Sequence, residues 1–278
     1  MLEHLIKRWL DEDIGEGDHS TLAAIDPNAR STAKLLVKEA GVIAGLDVAK
    51  QIYTLTDPSA ITQWFVSDGA TVRPGDVAFI VDGNAQNMLT TERLVLNCMQ
   101  RMSGIATKTR KLSDMIKHTG VILLDTRKTT PGFRVLEKEA VSIGGGQNHR
   151  FGLYDMIMLK DNHIDFCGGI TKAVAQVNAY KEAKGLTLRV EVEVRNENEL
   201  DEVLTSRGVD RILLDNFTPN QILSCISKIP KTIELEASGG ITEENIVEFA
   251  ETGIHFISVG ALTHHVESLD LSLKAIIH

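Results

Sequence analysis

From residue 120 onward short apolar runs alternate with longer stretches of helical period, and this alternation constrains the fold more than any other feature of the chain. The runs are VILLD (121–125), MIMLK (156–160), LRVEVEV (188–194), RILLD (211–215), TIELEA (232–237) and HFISVG (255–260). Between them lie stretches such as GITKAVAQVNAYKEA, ENELDEVLTSRG and TEENIVEFAETG. Strands separated by helices are joined by crossovers, and crossovers make neighbouring strands parallel. Two architectures satisfy the pattern, an open doubly wound sheet and a (β/α) barrel. No G-x-G-x-x-G follows the first run, which weakens the dinucleotide-binding form of the open sheet. Six runs rather than eight would make a barrel incomplete.

The part before residue 110 reads differently. Short β-like stretches (TAKLLVKEAGVIAG, ITQWFVSDGATVRPGDVAFIVDG) come first, and Pro74-Gly75 suits the centre of a tight turn. A long helix is expected from about Met88 to His118, with Val95, Cys98, Met99, Met102, Ile105 and Ala106 on one apolar stripe and Arg101 off it. At 278 residues the chain suits one large α/β unit with a smaller partner. No apolar run is long enough to cross a bilayer. The acidic, amphipathic start MLEHLIKRWLDEDIGEGD fits neither a signal peptide nor an Arg-rich transit peptide. Cys98, Cys167 and Cys225 lie far apart and read as reduced thiols of a cytoplasmic protein.

Each run ends on residues that a core rejects: Asp125-Thr126-Arg127-Lys128, Lys160-Asp161-Asn162-His163, Glu193, Asp215-Asn216, Glu236-Ala237-Ser238-Gly239-Gly240, and Gly260 followed by His264. Parallel architectures gather the C-terminal strand ends on one rim, where ligands bind. The formal charge of −9 argues against general nucleic-acid or membrane-surface binding, so local clusters of positive charge carry more weight. In IGGGQNHRFGLYD (143–155) three glycines precede His149-Arg150; with Arg127, Lys128 and Lys160 they make five basic groups in an acidic chain. Each charge-assisted bond from such groups contributes roughly 1.5–3 kcal/mol, so together they can hold a polyanion. Ser238-Gly239-Gly240, placed between a strand and a helix, offers backbone N–H groups and a helix N-terminus to a phosphate. Glu193 and Asp215 are hard oxygen donors that suit magnesium or, equally, ion pairs with the cations; Glu191 shares Glu193's face and is a possible substitute. The histidines, His264-His265 included, form no zinc pattern, and no cysteine has a base arranged beside it.

Taken together, LLDTRKTTPGFRVLEKEAV, GGGQNHRFGLYDMIMLKDNHI, VEVEV, LLDNF, EASGGIT and ISVGALTH resemble the quinolinate phosphoribosyltransferase family, and the likeness runs from EDIGEGDHST to LDLSLKAI. The resemblance implies an N-terminal α/β sandwich (1–110, with 266–278 packing back onto it) and an incomplete (β/α) TIM-like barrel (111–265). It implies transfer of phosphoribose from 5-phosphoribosyl-1-pyrophosphate (PRPP) to quinolinate, with Mg2+, loss of carbon dioxide and release of pyrophosphate. Arg127, His149, Arg150 and Lys160 match positions that bind quinolinate carboxylates, and Arg101 one that reaches the site from the partner of a homodimer, which a larger oligomer could also contain. Lys128 and Lys160 match lysines near pyrophosphate. Glu193 and Asp215 match carboxylates that meet ribose and metal, giving Lys128, Lys160, Glu193 and Asp215 the catalytic roles. Ser238, Gly239, Gly240, Gly260 and His264 match the 5′-phosphate site. The rival readings are a related phosphoribosyltransferase acting on another acid, a sugar-phosphate lyase or isomerase with a Schiff base on Lys160, and a non-catalytic anion-binding protein, whose anion affinity Glu193 and Asp215 would weaken.

Overall fold

Twelve strands lie among residues 2–277, the residues that the computed structural model describes: β1 (Arg30–Val37), β2 (Gly41–Val42), β3 (Ile61–Trp64), β4 (Thr71–Val72), β5 (Val77–Asn84), β6 (Ile122–Leu124), β7 (Ile157–Leu159), β8 (Val190–Val194), β9 (Arg211–Asp215), β10 (Glu234–Ser238), β11 (Phe256–Ser258) and β12 (Leu271–Ala275). They fall into two units. The first takes the chain through Arg110 together with Thr129–Gly145 and the segment from Leu262 onward, and the second takes Lys111–Lys128 and Gly146–Ala261.

The first unit is built on an antiparallel sheet of order β12-β1-β5-β3. Its outer strand comes from the far end of the chain, with Leu35 facing Leu273. The long helix Ala85–Ile116 begins and ends slightly ahead of the span read from the sequence, and a 3-10 turn, Lys117–Thr119, follows it. Val95, Cys98, Met99, Met102, Ile105 and Ala106 are all buried, as a stripe at helical spacing requires. Gly104 sits inside this helix, where glycine is costly. The reason is local: a Cβ there would collide with the Glu267 carbonyl of the returning C-terminal segment. That segment is then fastened by Leu269 N–H on the Gln100 carbonyl (3.0 Å) and by Gln100 Nε2 on the Leu271 carbonyl (3.0 Å). Helix Arg134–Gly144 buries Leu136, Ala140 and Val141, and Arg110 donates to the carbonyls of Gly144 (3.0 Å) and Ile143 (3.3 Å) to satisfy its last turn.

The second unit is an incomplete barrel. Its six strands are parallel in the order β6-β11-β10-β9-β8-β7. Several are shorter than the runs read from the sequence, trimmed at one end or both. Alternation gives the sheet two unlike faces. Val190, Val192, Val194, Ile212, Leu214, Leu235, Ala237 and Ile257 lie buried on one. The flanking helices bury Leu200, Val203, Ile222, Ile246 and Phe249. Each such side chain contributes about 1.5–3 kcal/mol on burial. The register puts Glu191, Glu193, Arg211, Asp215, Glu234, Glu236, Ser238 and Ser258 on the other face. Among the described residues no helix is long and apolar enough to cross a membrane.

Candidate active site

The loop after β6 is held from below by a neighbouring segment. Gln147 N–H donates to the Leu123 carbonyl (2.8 Å) and Asp125 N–H to the Gln147 carbonyl (3.2 Å), so residues around Gln147 run beside β6. The fully buried Asp125 carboxylate then accepts the backbone N–H of His149 at 2.8 Å. This fixes the two cationic pairs, Arg127-Lys128 and His149-Arg150, to one end of the barrel.

Arg127 and Arg150 are close enough for their charges to interact. Burial, reinforced by the Arg127 charge, pushes the Arg150 guanidinium below its ordinary value. Among the described residues Arg150 Nη1 reaches the Met156 carbonyl (3.3 Å), and Arg127 Nε is buried with no hydrogen-bond partner. A buried donor beside a like charge is unfavourable unless an anion meets it. Lys128 is exposed, and its backbone N–H donates to Thr126 Oγ1 at 3.0 Å.

Lys160 follows β7 and opens helix Asp161–Cys167, whose His163 ring accepts the Lys160 N–H at 3.0 Å. Its ammonium lies 3.1 Å from Glu193 Oε2 on the adjacent strand. At the end of β9, Asp215 accepts from Ser238 Oγ (3.2 Å) and Asn216 Nδ2 (2.8 Å), and Asn216 N–H donates to the Ser238 carbonyl (2.8 Å). Asn216 has φ 58, the sole non-glycine positive φ among the described residues, which marks a backbone shape imposed by its surroundings. Gly239 (φ 89) packs against it so closely that a Cβ would strike the Asn216 side chain. Gly240 also has a left-handed backbone (φ 64), and Gly260 follows β11.

Two sequence expectations need correction here. No helix begins directly after Gly240. Thr242 N–H donates to Asn245 Oδ1 (2.8 Å) and Asn245 Nδ2 to the Gly240 carbonyl (3.0 Å), so the chain closes a turn first, and the helix is only Ile246–Ala250. Any phosphate contact there would come from the loop's own N–H groups rather than from a helix dipole. Glu191 does share Glu193's face, yet it is fully buried and turned toward His149, so it cannot stand in for Glu193 as a metal donor at the rim.

Below the rim lies a polar cluster that the sequence reading did not assemble. His149 Nε2 is 3.0 Å from Glu191 Oε2 and 3.5 Å from Glu236 Oε2, and Arg211 Nη1 is 2.9 Å from Glu236 Oε2. Arg211 also meets Glu234 (3.0 Å) and lies over the Phe256 ring at 3.9 Å. Burial and the Glu236 charge push the Glu191 carboxyl up. Burial works against charge on the His149 ring, but the two carboxylates outweigh it and hold its pKa up at about 9. The Arg150 N–H opposes that pull, because it donates to Nδ1 at 2.7 Å and a ring proton there would displace it. Among the described residues His149, Glu191 and Glu236 are the one set of three or more His, Cys and acidic residues whose ligand atoms are close enough to share a metal ion, all within 4.8 Å. Arg211 already supplies the counter-charge, which makes the set an ion-pair cluster. The only sequence hint was a cation opening a buried strand between two strands bearing alternate glutamates.

Arg101 and His264 belong to the first unit. The Arg101 guanidinium donates to Glu137 Oε1 (Nε, 2.8 Å), Thr130 Oγ1 (2.8 Å) and the Thr263 carbonyl (3.2 Å), and Glu137, fully buried, also accepts the Thr130 N–H at 3.0 Å. His264 is exposed on the short helix Ala261–His264, its ring against that of His265.

Comparison with known proteins places this geometry. The family model described as quinolinate phosphoribosyl transferase, N-terminal domain, matches residues 18–103, and the C-terminal domain model matches residues 105–274. The chain is 44% identical over 288 residues to quinolinate phosphoribosyltransferase (decarboxylating) 2b, mitochondrial, of Nicotiana tabacum, covering 98% of this chain and 82% of that one. It is 42% identical over 272 residues to the probable nicotinate-nucleotide pyrophosphorylase (carboxylating) of Bacillus subtilis, covering 98% and 92%. Its fold matches the structure of the nicotinate-nucleotide pyrophosphorylase from Francisella tularensis with a TM-score of 0.91 at 39% identity, over 99% of this chain and 96% of that one. Domain models that meet end to end along the chain, together with this agreement in sequence and fold, establish that the chain belongs to the quinolinate phosphoribosyltransferase family.

Proposed function

We propose that the protein catalyses the reaction of quinolinate with PRPP to give nicotinate mononucleotide, pyrophosphate and carbon dioxide, a step of NAD biosynthesis. The observation that carries this reading beyond family membership is the Arg127–Arg150 pair: two guanidiniums whose charges interact, one with a buried donor that no group among the described residues accepts from. A pyridine dicarboxylate offsets their repulsion and takes forked hydrogen bonds from both.

In this reading Arg127, Arg150 and Lys160 receive the quinolinate carboxylates, and His149 belongs to the same corner. Lys128 and Lys160 face the pyrophosphate, while Ser238, Gly239, Gly240 and Gly260 receive the 5′-phosphate. Holding two mutually repelling anions side by side makes their encounter effectively intramolecular. The bond from C1′ to pyrophosphate breaks as the ring nitrogen bonds to C1′, and positive character develops on the ribose. Glu193 and Asp215 stabilise it from the ends of adjacent strands. The pyridinium then accepts the electron pair released as the C2 carboxylate leaves as carbon dioxide, and a proton from water completes C2. No covalent protein intermediate is needed.

Magnesium suits Glu193 and Asp215, which are oxygen donors held in place by Lys160 on one side and Ser238 and Asn216 on the other. When bound it would neutralise charge on the departing pyrophosphate. Arg101 is assigned to the quinolinate corner of a partner copy, in a homodimer with shared sites. The cytoplasm is the compartment assigned, in keeping with three free cysteines.

The direct test supplies purified protein with PRPP, magnesium and quinolinate labelled at the C2 carboxylate. Nicotinate mononucleotide and labelled carbon dioxide should appear together; a nucleotide without carbon dioxide, or no nucleotide, overturns the assignment. Mixing an Arg101→Ala chain with an Arg127→Ala chain should restore part of the lost activity, and no recovery at all removes the shared site.

A further inference from the structure

Every side chain of the quinolinate corner except one has a polar group left to offer a ligand. The exception is His149. Its side chain is 6% exposed, its Nε2 faces Glu191 and Glu236, and its Nδ1 accepts the Arg150 N–H at 2.7 Å. Its own backbone N–H is spent on Asp125 (2.8 Å). The ring therefore faces inward, with one nitrogen on the acidic floor of the barrel and the other on the backbone of the residue that follows. The floor is itself fastened: Glu236 accepts from Arg211 at 2.9 Å, and Arg211 is anchored by Glu234 and by the Phe256 ring.

We propose that Glu236 and Glu191 are positioning residues for quinolinate binding: they orient the His149 ring, and that ring sets the Arg150 backbone, so His149 acts on the substrate through Arg150 rather than by touching it. This deepens the quinolinate reading above and rests on it. The physical reason for such a device is the repulsion between Arg127 and Arg150. Two like charges left to themselves swing apart, and a flexible loop would let them. Pinning the loop at the Gln147 amide, the His149 amide and the His149 ring keeps both guanidiniums close before an anion arrives.

The test is a split of Michaelis constants. Glu236→Gln keeps the shape of the side chain and removes the charge facing His149. Its quinolinate KM should rise about tenfold, the worth of one charge-assisted hydrogen bond, while its PRPP KM stays within about twofold. A general loss of barrel structure would move both constants and the melting temperature. His149→Asn keeps an acceptor where Nδ1 stands, and His149→Ala does not. Positioning through the Arg150 amide therefore predicts a quinolinate KM much closer to wild type for Asn than for Ala, whereas direct contact of the ring with substrate predicts equal damage. Should Glu236→Gln fail to fold, Glu191→Gln, which leaves the Arg211–Glu236 pair intact, is read in the same way. An unchanged quinolinate KM in the glutamine variant, or equal damage in the two His149 variants, overturns the proposal while a working wild-type enzyme leaves the quinolinate reading standing. A wild-type protein that turns over no quinolinate removes both.

Discussion

Replacing Arg211 by Met should expose how much the polar floor of the barrel costs when its counter-charge is gone. Glu236 and Glu191 have side chains with no solvent exposure, and Arg211 is the cation that meets Glu236, at 2.9 Å. Met keeps the aliphatic part of the arginine and gives up its charge together with the guanidinium's place over the Phe256 ring. Removing Arg211 leaves the Glu236 carboxylate without solvent and with only the His149 ring, at 3.5 Å, to offset its charge, and breaking a buried pair in this way costs about 3–5 kcal/mol. For a chain of this size that corresponds to a melting temperature lower by about 10 °C.

The pH dependence sharpens this. In the wild type, burial pushes the Glu236 carboxyl up, but His149, Ser258 and Arg211 together bring it below the ordinary glutamate value. Its contribution is thus present above the ordinary glutamate pKa and lost as pH falls below it. In Arg211→Met burial is less opposed, so the carboxyl takes up a proton at higher pH and the penalty fades on mild acidification. Urea unfolding followed by circular dichroism should show a larger deficit at about pH 7.5 than at about pH 5.5. The double variant Arg211→Met/Glu236→Gln should recover at least half of the loss. A deficit below about 1 kcal/mol, or one that is the same at both pH values, would refute the claim that Arg211 neutralises a buried carboxylate.

Three further outcomes are expected. Arg127→Ala should abolish turnover and weaken quinolinate binding at least about tenfold by calorimetry, yet leave the melting temperature equal or higher, because it removes the like charge beside Arg150; a clear drop in melting temperature would mean that Arg127 is structural. Gly239→Ala should cost about 1–3 kcal/mol, since it places a Cβ at φ 89 against Asn216, and should raise the PRPP KM more than the quinolinate KM; an Ala variant with wild-type stability would show that the loop relaxes freely. Asp57 is pulled below the ordinary aspartate value by the Ser59 hydroxyl (2.6 Å) and the Asn84 N–H (2.8 Å). Its stabilisation is complete above the ordinary aspartate pKa and disappears as pH falls through the lowered one, so the gap in urea midpoint between wild type and Asp57→Asn should narrow between about pH 6 and about pH 3. A gap that stays constant would mean that the carboxylate charge does not matter there.

The six parallel strands and the rim of polar strand ends were legible because both are local signals. A strand of period two shows its own faces, and parallel crossovers bring the C-terminal ends together whatever the strand order. Hence Arg127, Lys160, Glu193, Asp215 and Ser238 all stand at or just beyond the ends of barrel strands, whereas His149 and Arg150 reach the same rim through Gln147, which bridges to Leu124 at the end of β6. The turn after Gly240 was not legible as such, because Thr242-Glu243-Glu244-Asn245 reads as well for a first helical turn as for the side-chain-closed turn that Asn245 makes. Glu191 was misjudged for a related reason: alternation tells which face a residue shares, and not how deep along the barrel it lies.

The amino-acid order by itself determined that this chain alternates strand and helix, that its cations collect after strand ends, and that its motifs are those of one family. Only the tertiary structure decided what the buried charges do. Arg211 meets Glu236, and Glu236 and Glu191 meet His149, because parallel pairing brings β9 beside both β8 and β10 and draws the Gln147–Arg150 segment along β6. Those contacts join residues far apart in the chain, and no local pattern records which long-range register will form or which charges it will bury together.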